Sequence, residues 1–133
     1  MQKETQEKFM QLQMIHQQLR QLQQQLQLLE QQTMELVQTK ASVAELDAVD
    51  KNKPLFVPIA SGIFVKARWE GDGAFLVNVG AGTAVEKQKA DVDRLVDQQL
   101  SEAEKIKSEM LEQVKKLVEH ATKLEEQIQG EAA

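Results

Sequence analysis

Apolar residues in the first third of the chain recur at alternating intervals of three and four residues. These positions are Leu12, Ile15, Leu19, Leu22, Leu26, Leu29, Thr33 and Leu36, and polar residues, above all Gln, fill most of the positions between them. A heptad rhythm kept over more than three heptads predicts a helix that packs along one stripe, as in a coiled coil. The regular spacing argues against a disordered glutamine-rich segment.

The last third of the chain has a similar but less regular rhythm. Its predicted seam comprises Val92, Val96, Gln99, Ala103, Ile106, Met110, Val114, Leu117, Ala121, Leu124 and Ile128. Two consecutive steps of four residues meet at Met110, and such a stutter locally unwinds a supercoil. The many charged residues of this segment indicate a solvated outer face.

Glycine and proline divide the chain into three segments. Neither occurs from Met1 to about Asp47, whereas the middle segment contains both prolines and five of the six glycines. This distribution predicts two long helices around a non-helical insert. We assign residues 1–50 to the N-terminal coiled-coil helix, 51–88 to the insert and 89–133 to the C-terminal coiled-coil helix.

The two predicted helices have matched lengths of roughly 40 residues, or about 60 Å each. Matched lengths favour an antiparallel hairpin, in which residues face each other when their numbers sum to about 135. Leu12 would then lie near Leu124, and Leu36 near Gln98 and Gln99. Both ends of the chain would meet at one tip of the coiled coil.

The insert is predicted to form two β-hairpins, so the fold class is α+β. The predicted strands are Leu55–Ala60, Ile63–Trp69, Ala74–Val79 and Thr83 to about Lys87, with turns at Ser61-Gly62 and Gly80-Ala81-Gly82. Residues 70–73 are predicted to form a further hairpin loop. Thr83 and Glu86 could instead be a capping box that starts the second helix early, but we favour the fourth strand, with the helix beginning near Ala90.

The first and third predicted strands carry apolar residues on both faces, which indicates that both faces are covered. About thirty residues in two hairpins cannot supply that cover, because an isolated hairpin is marginal in water. We therefore expect other subunits to complete the sheets, closing them into an inter-subunit β-barrel or stacked sheets. The expected oligomerisation residues are Leu55, Val57, Ile59, Ile63, Val65, Phe75, Val77 and Val79. The alternative is a small self-contained cap on a coiled coil.

Composition removes several classes of function. The 133 residues carry a net charge of -5, which argues against nucleic acid as a partner. The chain contains no Cys, and His16 with His120 lacks a third metal ligand, so we expect no metal site. The Asp and Glu residues are predicted on solvated helix faces with no pocket around them, and Gly80-Ala81-Gly82 lacks the remaining residues of a nucleotide-binding loop. We therefore expect no catalytic residues and no cofactor. The first thirty residues contain no long apolar run, so we expect no signal peptide, no membrane span and a cytoplasmic location.

The stretches "LFVPIASGIFVKA" and "LVNVGAGTAVEK", placed between two coiled-coil helices, closely resemble the alpha class of prefoldin subunits. Two hairpins rather than one distinguish that class, and the form is similar to archaeal alpha subunits. The resemblance covers essentially the whole chain, although its specific part is the insert. Ala60 departs from the pattern, since the family usually has Gly before the first turn.

The resemblance implies an ATP-independent chaperone. Its expected partners are prefoldin beta subunits in a hexamer of two alpha and four beta chains, non-native protein clients and a group II chaperonin. The alternative is a homo-oligomeric, filament-forming structural protein that uses the same insert. A coiled-coil finger for a polymerase channel is disfavoured, because such fingers have a short turn where this chain has strands.

A holdase needs exposed and adaptable apolar side chains, and Met suits promiscuous contact. The expected client-binding residues at the tip are Met1, Phe9, Met10, Leu12, Met14, Leu124 and Ile128. Phe9, Met10 and Met14 lie off the predicted seam, so helix pairing need not consume them. The alternative is that Phe9 and Met10 pack within the last turns of the helical hairpin.

Overall fold

A computed structural model describes residues 2–49, 53–71 and 73–132 of the chain. The elements in chain order are α1 (Lys3–Asp47), β1 (Pro54–Ala60), β2 (Ile63–Arg68), β3 (Ala74–Gly80), β4 (Thr83–Gln88) and α2 (Lys89–Ala132). The predicted α+β order of helix, two antiparallel hairpins and helix is therefore confirmed. The chain forms two compact units, one made of the residues up to Thr33 and from Ser101 onward, the other of Met34–Leu100.

In the first unit, α1 and α2 pack along a narrow apolar seam. Its core is a cluster of three buried residues, Ile15, Ala121 and Leu124. The half-buried side chains of Leu12, Leu19 and Leu117 pack against this cluster. Leu12 and Leu124 thus lie in the same layer, as the antiparallel register predicts.

The protected stripe of α1 follows the predicted heptad positions. Leu19, Leu22, Leu26, Leu29, Thr33 and Leu36 are half-buried, and most residues between them are exposed. Because two helices cover only one stripe of each other, most of these side chains keep part of their surface in water. The same spacing extends toward the N-terminus through Lys8 to the buried Thr5.

The protected stripe of α2 differs from the prediction at two positions. Ile106 and Gln99 are exposed, whereas Lys107 and Leu100 are half-buried. The prediction of Ile106 on the seam is therefore wrong. After Ala103 the seam continues four residues later, at Lys107, and not three residues later, at Ile106. A lysine can occupy such a position by packing its aliphatic stem along the seam while its ammonium group reaches water.

With Lys107 included, the alternation of three and four residues is unbroken from Leu100 to Ile128. Met110, Val114 and Leu117 are half-buried along this stretch, and Ala103, Ala121 and Ile128 are buried. No stutter lies at Met110. The consecutive steps of four residues occur instead from Val92 through Val96 to Leu100.

The second unit contains two separate two-stranded antiparallel sheets, β1 with β2 and β3 with β4. Their registers are the same after a shift of twenty residues. Pro54 faces Arg68 and Ala74 faces Gln88 at the open ends, and each hairpin has an irregularity two residues before its turn. The insert is thus a structural repeat of one hairpin.

The segment after β2 connects the two hairpins and is not a hairpin loop, so that part of the prediction is wrong. β2 pairs with β1, and β3 pairs with β4, each across a two-residue turn. Closing such a short turn costs less chain entropy than closing the longer segment between β2 and β3. The Trp69 and Phe75 rings lie 5.3 Å apart on either side of the connection. The Lys89 N–H donates a 3.1 Å hydrogen bond to the Gly73 carbonyl, which joins the start of α2 to the start of β3.

The fourth strand, rather than a capping box, follows the second turn. Glu86 faces Leu76 across the sheet, and Gly80 faces Thr83 at the turn. The two residues of this turn, Ala81 and Gly82, have φ values of 53° and 71°. Positive φ at both central residues is characteristic of a type I′ hairpin turn.

Candidate functional site

Each hairpin has two faces, because side chains alternate along a strand. On one, here called the half-buried face, lie Leu55, Val57, Val65 and Ala67 of the first hairpin and Phe75, Val77, Val85 and Lys87 of the second. On the other, here called the open face, lie Phe56, Pro58, Phe64 and Lys66 of the first hairpin and Leu76, Asn78, Ala84 and Glu86 of the second.

The open face exposes the larger apolar side chains. Phe56 is 69% exposed, Leu76 is 73% exposed and Phe64 is also exposed. Burying each such side chain against a partner would contribute roughly 1.5–3 kcal/mol. Phe56, Pro58 and Phe64 share this face of the first hairpin, and apolar groups gathered on one sheet face are typical of an interaction surface.

The expected oligomerisation residues lie mainly on the half-buried face. Leu55, Phe75 and Val77 are half-buried, and Val57, Ile59, Ile63, Val65 and Val79 are exposed. That set omits Phe56, Phe64 and Leu76, which are among the most exposed apolar groups of the sheets. The sequence does contain a signal for these three residues, because apolar residues occur on both faces of the strands. The expected oligomerisation residues, however, were taken from one face only.

A second exposed apolar surface lies on α1 near its beginning, and we call Phe9, Met10 and Met14 the tip surface. Phe9 is 39% exposed, Met10 65% and Met14 60%. All three lie off the heptad seam, and the two Met side chains are largely free of the helix pair. The alternative, that Phe9 and Met10 pack within the last turns of the hairpin, does not describe Met10, whereas Phe9 is the least exposed of the three.

The remaining expected tip residues have a different environment. Leu124 and Ile128 are buried, and Leu12 is half-buried against the cluster that contains Leu124. Their side chains are used by helix packing in this conformation. Met1 lies outside the described residues.

A polar contact joins the two helices beside the tip surface, and we call Thr5, Lys8 and Glu131 the terminal clasp. The buried Thr5 hydroxyl donates a 2.6 Å hydrogen bond to Glu131 Oε2, while Lys8 Nζ donates to Glu131 Oε1. These bonds, above all the one from Lys8, lower the pKa of Glu131 below its ordinary value.

Sequence reasoning missed the terminal clasp, because its partners are separated by more than 120 residues. Extending the heptad count of α1 backward from Leu12 would have placed Thr5 and Lys8 on the seam. A polar residue at a seam position is a signal for a partner, since buried polar groups are normally hydrogen-bonded.

Other charged contacts across the helices are exposed. In the second unit, Lys40 Nζ lies 2.6 Å from Asp97 Oδ1, and this hydrogen bond and charge raise the pKa of Lys40. In the first unit, His16 Nε2 lies 3.9 Å from Glu125 Oε1. Within the described ranges no group of three or more His, Cys, Asp or Glu residues could hold a metal ion.

None of the helices in the described part of the chain is long and apolar enough to cross a membrane.

Comparison with known proteins gives one consistent family. The family model described as "Prefoldin subunit" matches residues 15–133. A prefoldin subunit alpha of Methanococcus vannielii is 27% identical over 133 residues, which cover 100% of this chain and 89% of that protein. A prefoldin subunit alpha of Methanococcus maripaludis is 29% identical over 119 residues, which cover 89% of this chain and 74% of that protein.

The fold is also found among solved structures. A chain in the cryo-EM structure of a filamentous PFD from Methanocaldococcus jannaschii superposes with a TM-score of 0.75 and 18% sequence identity. The match covers 89% of this chain and 95% of that chain. With the family match over most of its length and alpha-subunit relatives along all of it, the chain belongs to the prefoldin family.

Proposed function

We propose that the chain is the alpha-type subunit of a prefoldin that binds unfolded polypeptides at the tip surface without ATP. It prevents their aggregation and delivers them to a group II chaperonin. Family membership and alpha-subunit relatives support a chaperone subunit. The observation that carries the client-binding role is the exposure of three apolar side chains, Phe9, Met10 and Met14, within six residues near the beginning of α1.

The tip surface suits weak and general binding. Met is flexible and polarisable, so its side chain adapts to apolar groups of different shapes. Each buried Phe or Met contributes about 1.5–3 kcal/mol, which gives one tip a low affinity once ordering costs are subtracted. Several tips acting on one client gain by effective concentration. An assembly with several arms therefore holds a client without spending ATP.

The hairpins provide the contacts between subunits in this proposal. Their open faces expose Phe56, Phe64 and Leu76, and partner hairpins that cover them would close the sheets into an inter-subunit barrel. We propose prefoldin beta subunits as those partners, in a hexamer of two alpha and four beta chains. Unpaired strand edges and apolar faces would then be satisfied together.

The tip proposal is tested with the double variant Phe9→Ser and Met10→Ser. Its matched control is Leu28→Ser with Met34→Ser, which removes two exposed apolar side chains of α1 outside the tip surface. Light scattering of a chemically denatured protein, diluted into assembled prefoldin, measures protection against aggregation. We expect the tip variant to lose most protection and the control to keep it. Equal protection by both would contradict the proposal.

A second candidate is a homo-oligomeric, filament-forming structural protein. It is favoured by one observation, namely that a chain of the same fold comes from a filamentous PFD. Multi-angle light scattering on the purified chain, alone and mixed with a beta-type subunit, separates the candidates. A mixed hexamer supports the chaperone, and a ladder of large homo-oligomers that ignores the beta-type subunit supports the filament.

A further inference from the structure

We infer that the terminal clasp of Thr5, Lys8 and Glu131 is a gate that regulates how much apolar surface the tip offers to clients. The inference rests on the proposed client-binding function of that tip. Closed, the clasp holds the last turn of α2 against the first turns of α1. Open, it releases seam side chains that add to the tip surface.

The last turn of α2 is weak by itself. Gly130 lies in this turn, and glycine in a helix is less favourable than alanine because it loses more backbone freedom. Glu131 places a negative charge at the negative end of the helix dipole, and the last turn contains no basic residue to offset it. This end of α2 therefore depends on contacts with α1.

The clasp supplies those contacts through both carboxylate oxygens. Glu131 Oε2 accepts from Thr5 and Oε1 accepts from Lys8. Among the described residues, Thr5 is the only buried polar residue, at 6% exposure. Burial limits the access of water to the Thr5 hydroxyl, whereas Glu131 itself is exposed. Charge-assisted bonds of this kind are stronger than neutral ones.

Apolar side chains lie directly behind the clasp. Ile128 precedes Glu131 by one turn and is buried, as is Leu124. On α1, Leu12 follows Lys8 by one turn and packs against the same cluster as Leu124. Fraying of the α2 end would uncover these three residues at the end of the helix pair that carries Phe9. The gate would thus enlarge the apolar surface with side chains from both helices.

Two variants move the gate in opposite directions. Lys8→Glu opens it by placing two carboxylates together, and the charge swap Lys8→Glu with Glu131→Lys restores an ion pair. Gly130→Ala closes it, because alanine favours the helix more than glycine does. The substitution fits, since the added methyl group has no atom within 4 Å and Gly130 has no positive φ. Lys123→Glu, an equal charge change at an exposed site of α2, is the control.

Amide hydrogen exchange in residues 124–132 of the full-length assembled protein reports opening, and light scattering reports client capture. Lys8→Glu should exchange severalfold faster and capture more client per subunit. Gly130→Ala should exchange severalfold slower and capture less. The swap should exchange more slowly than Lys8→Glu, because it restores the ion pair, and the control should match the wild type. This pattern would support the gate.

Two results would overturn the gate. Unchanged exchange in Lys8→Glu would show that the clasp does not hold the helix end. Altered exchange with unchanged capture would show that the end does not regulate clients. Failure of the proposed function is a different result, since the wild-type protein would then fail to protect a client at all.

Discussion

Ala81 adopts a left-handed backbone conformation that L-residues with a side chain disfavour by roughly 1–2 kcal/mol. Its φ of 53° is fixed by the turn between β3 and β4. Ala81→Gly removes this strain, although it also increases the freedom of the unfolded chain. We expect a net gain of about 0.5–1 kcal/mol, measured as a higher midpoint of thermal unfolding by circular dichroism.

The matched control for this prediction is Ala60→Gly, at the position before the first turn. Ala60 does not have a positive φ, although Gly80, its counterpart in the second hairpin, has a φ of 100°. Glycine at residue 60 therefore relieves no strain and should lower stability. Equal effects of glycine at residues 60 and 81 would contradict the assignment of strain to Ala81.

Glu131 makes the helix end sensitive to acid. Its pKa is lowered, first by the hydrogen bond from Lys8 and then by that from Thr5. The stabilisation is fully present above the ordinary pKa of 4.5 and is lost as pH falls through the lowered value, because the folded state then takes up a proton. Among the described residues of the first unit, the other ion pair between the two helices is His16 with Glu125.

We expect the thermal stability of the wild type to exceed that of Glu131→Gln at neutral pH, with a difference that shrinks below pH 4.5. Circular dichroism melts between neutral and acidic pH measure this difference. In a Lys8→Met background the largest cause of the pKa shift is gone, so the difference should be smaller throughout. A difference that grows on acidification has the wrong sign for this mechanism.

At the scale of the helices, the heptad stripe decides which apolar side chains stabilise the fold. Ile15 is buried in the cluster with Ala121 and Leu124, whereas Leu28 lies off the stripe and is exposed. Ile15→Ala should lower the free energy of unfolding by about 2–3 kcal/mol, near the lower end for buried Ile. Leu28→Ala should change it by less than about 0.5 kcal/mol.

Urea unfolding followed by circular dichroism at the helix band measures both changes. The two substitutions remove similar side-chain volumes from the same helix. Helix propensity cannot explain a large difference between them, because ordinary residues differ in it by at most about 0.7 kcal/mol. Comparable losses for both variants would mean that the stripe does not carry the stability of the helix pair.

These elements were predictable where a local pattern dictates them. Heptad spacing and the lack of Gly and Pro define the helices, and alternation with turn residues defines the strands. The choice between Ile106 and Lys107 was not predictable from residue type, because the longer lysine stem can occupy an apolar position. The clasp was missed because its residues are distant in sequence, and the connection after β2 because its glycines also suit a hairpin loop.

At the scale of the whole molecule, the repeated hairpins leave more apolar sheet surface than one chain covers. The repeat preserves strand register and turn position, while the side chains on its open faces differ, with Phe56 and Phe64 in one hairpin and Leu76 in the other. Matching strand registers with different side chains suit two similar but distinct contacts with neighbouring subunits. The same pair of hairpins would serve either a closed hexamer or a filament.

Leu76→Lys should therefore prevent assembly and leave the fold of the chain intact. Leu76 is highly exposed in the single chain, so the substitution costs the fold little, whereas a partner subunit would have to bury an unpaired charge. Multi-angle light scattering after mixing with a beta-type subunit measures assembly, and circular dichroism checks the fold. Gln31→Lys, which adds the same charge at an exposed position of α1, should assemble like the wild type. Normal assembly of Leu76→Lys would exclude the open face of the second hairpin as a subunit contact.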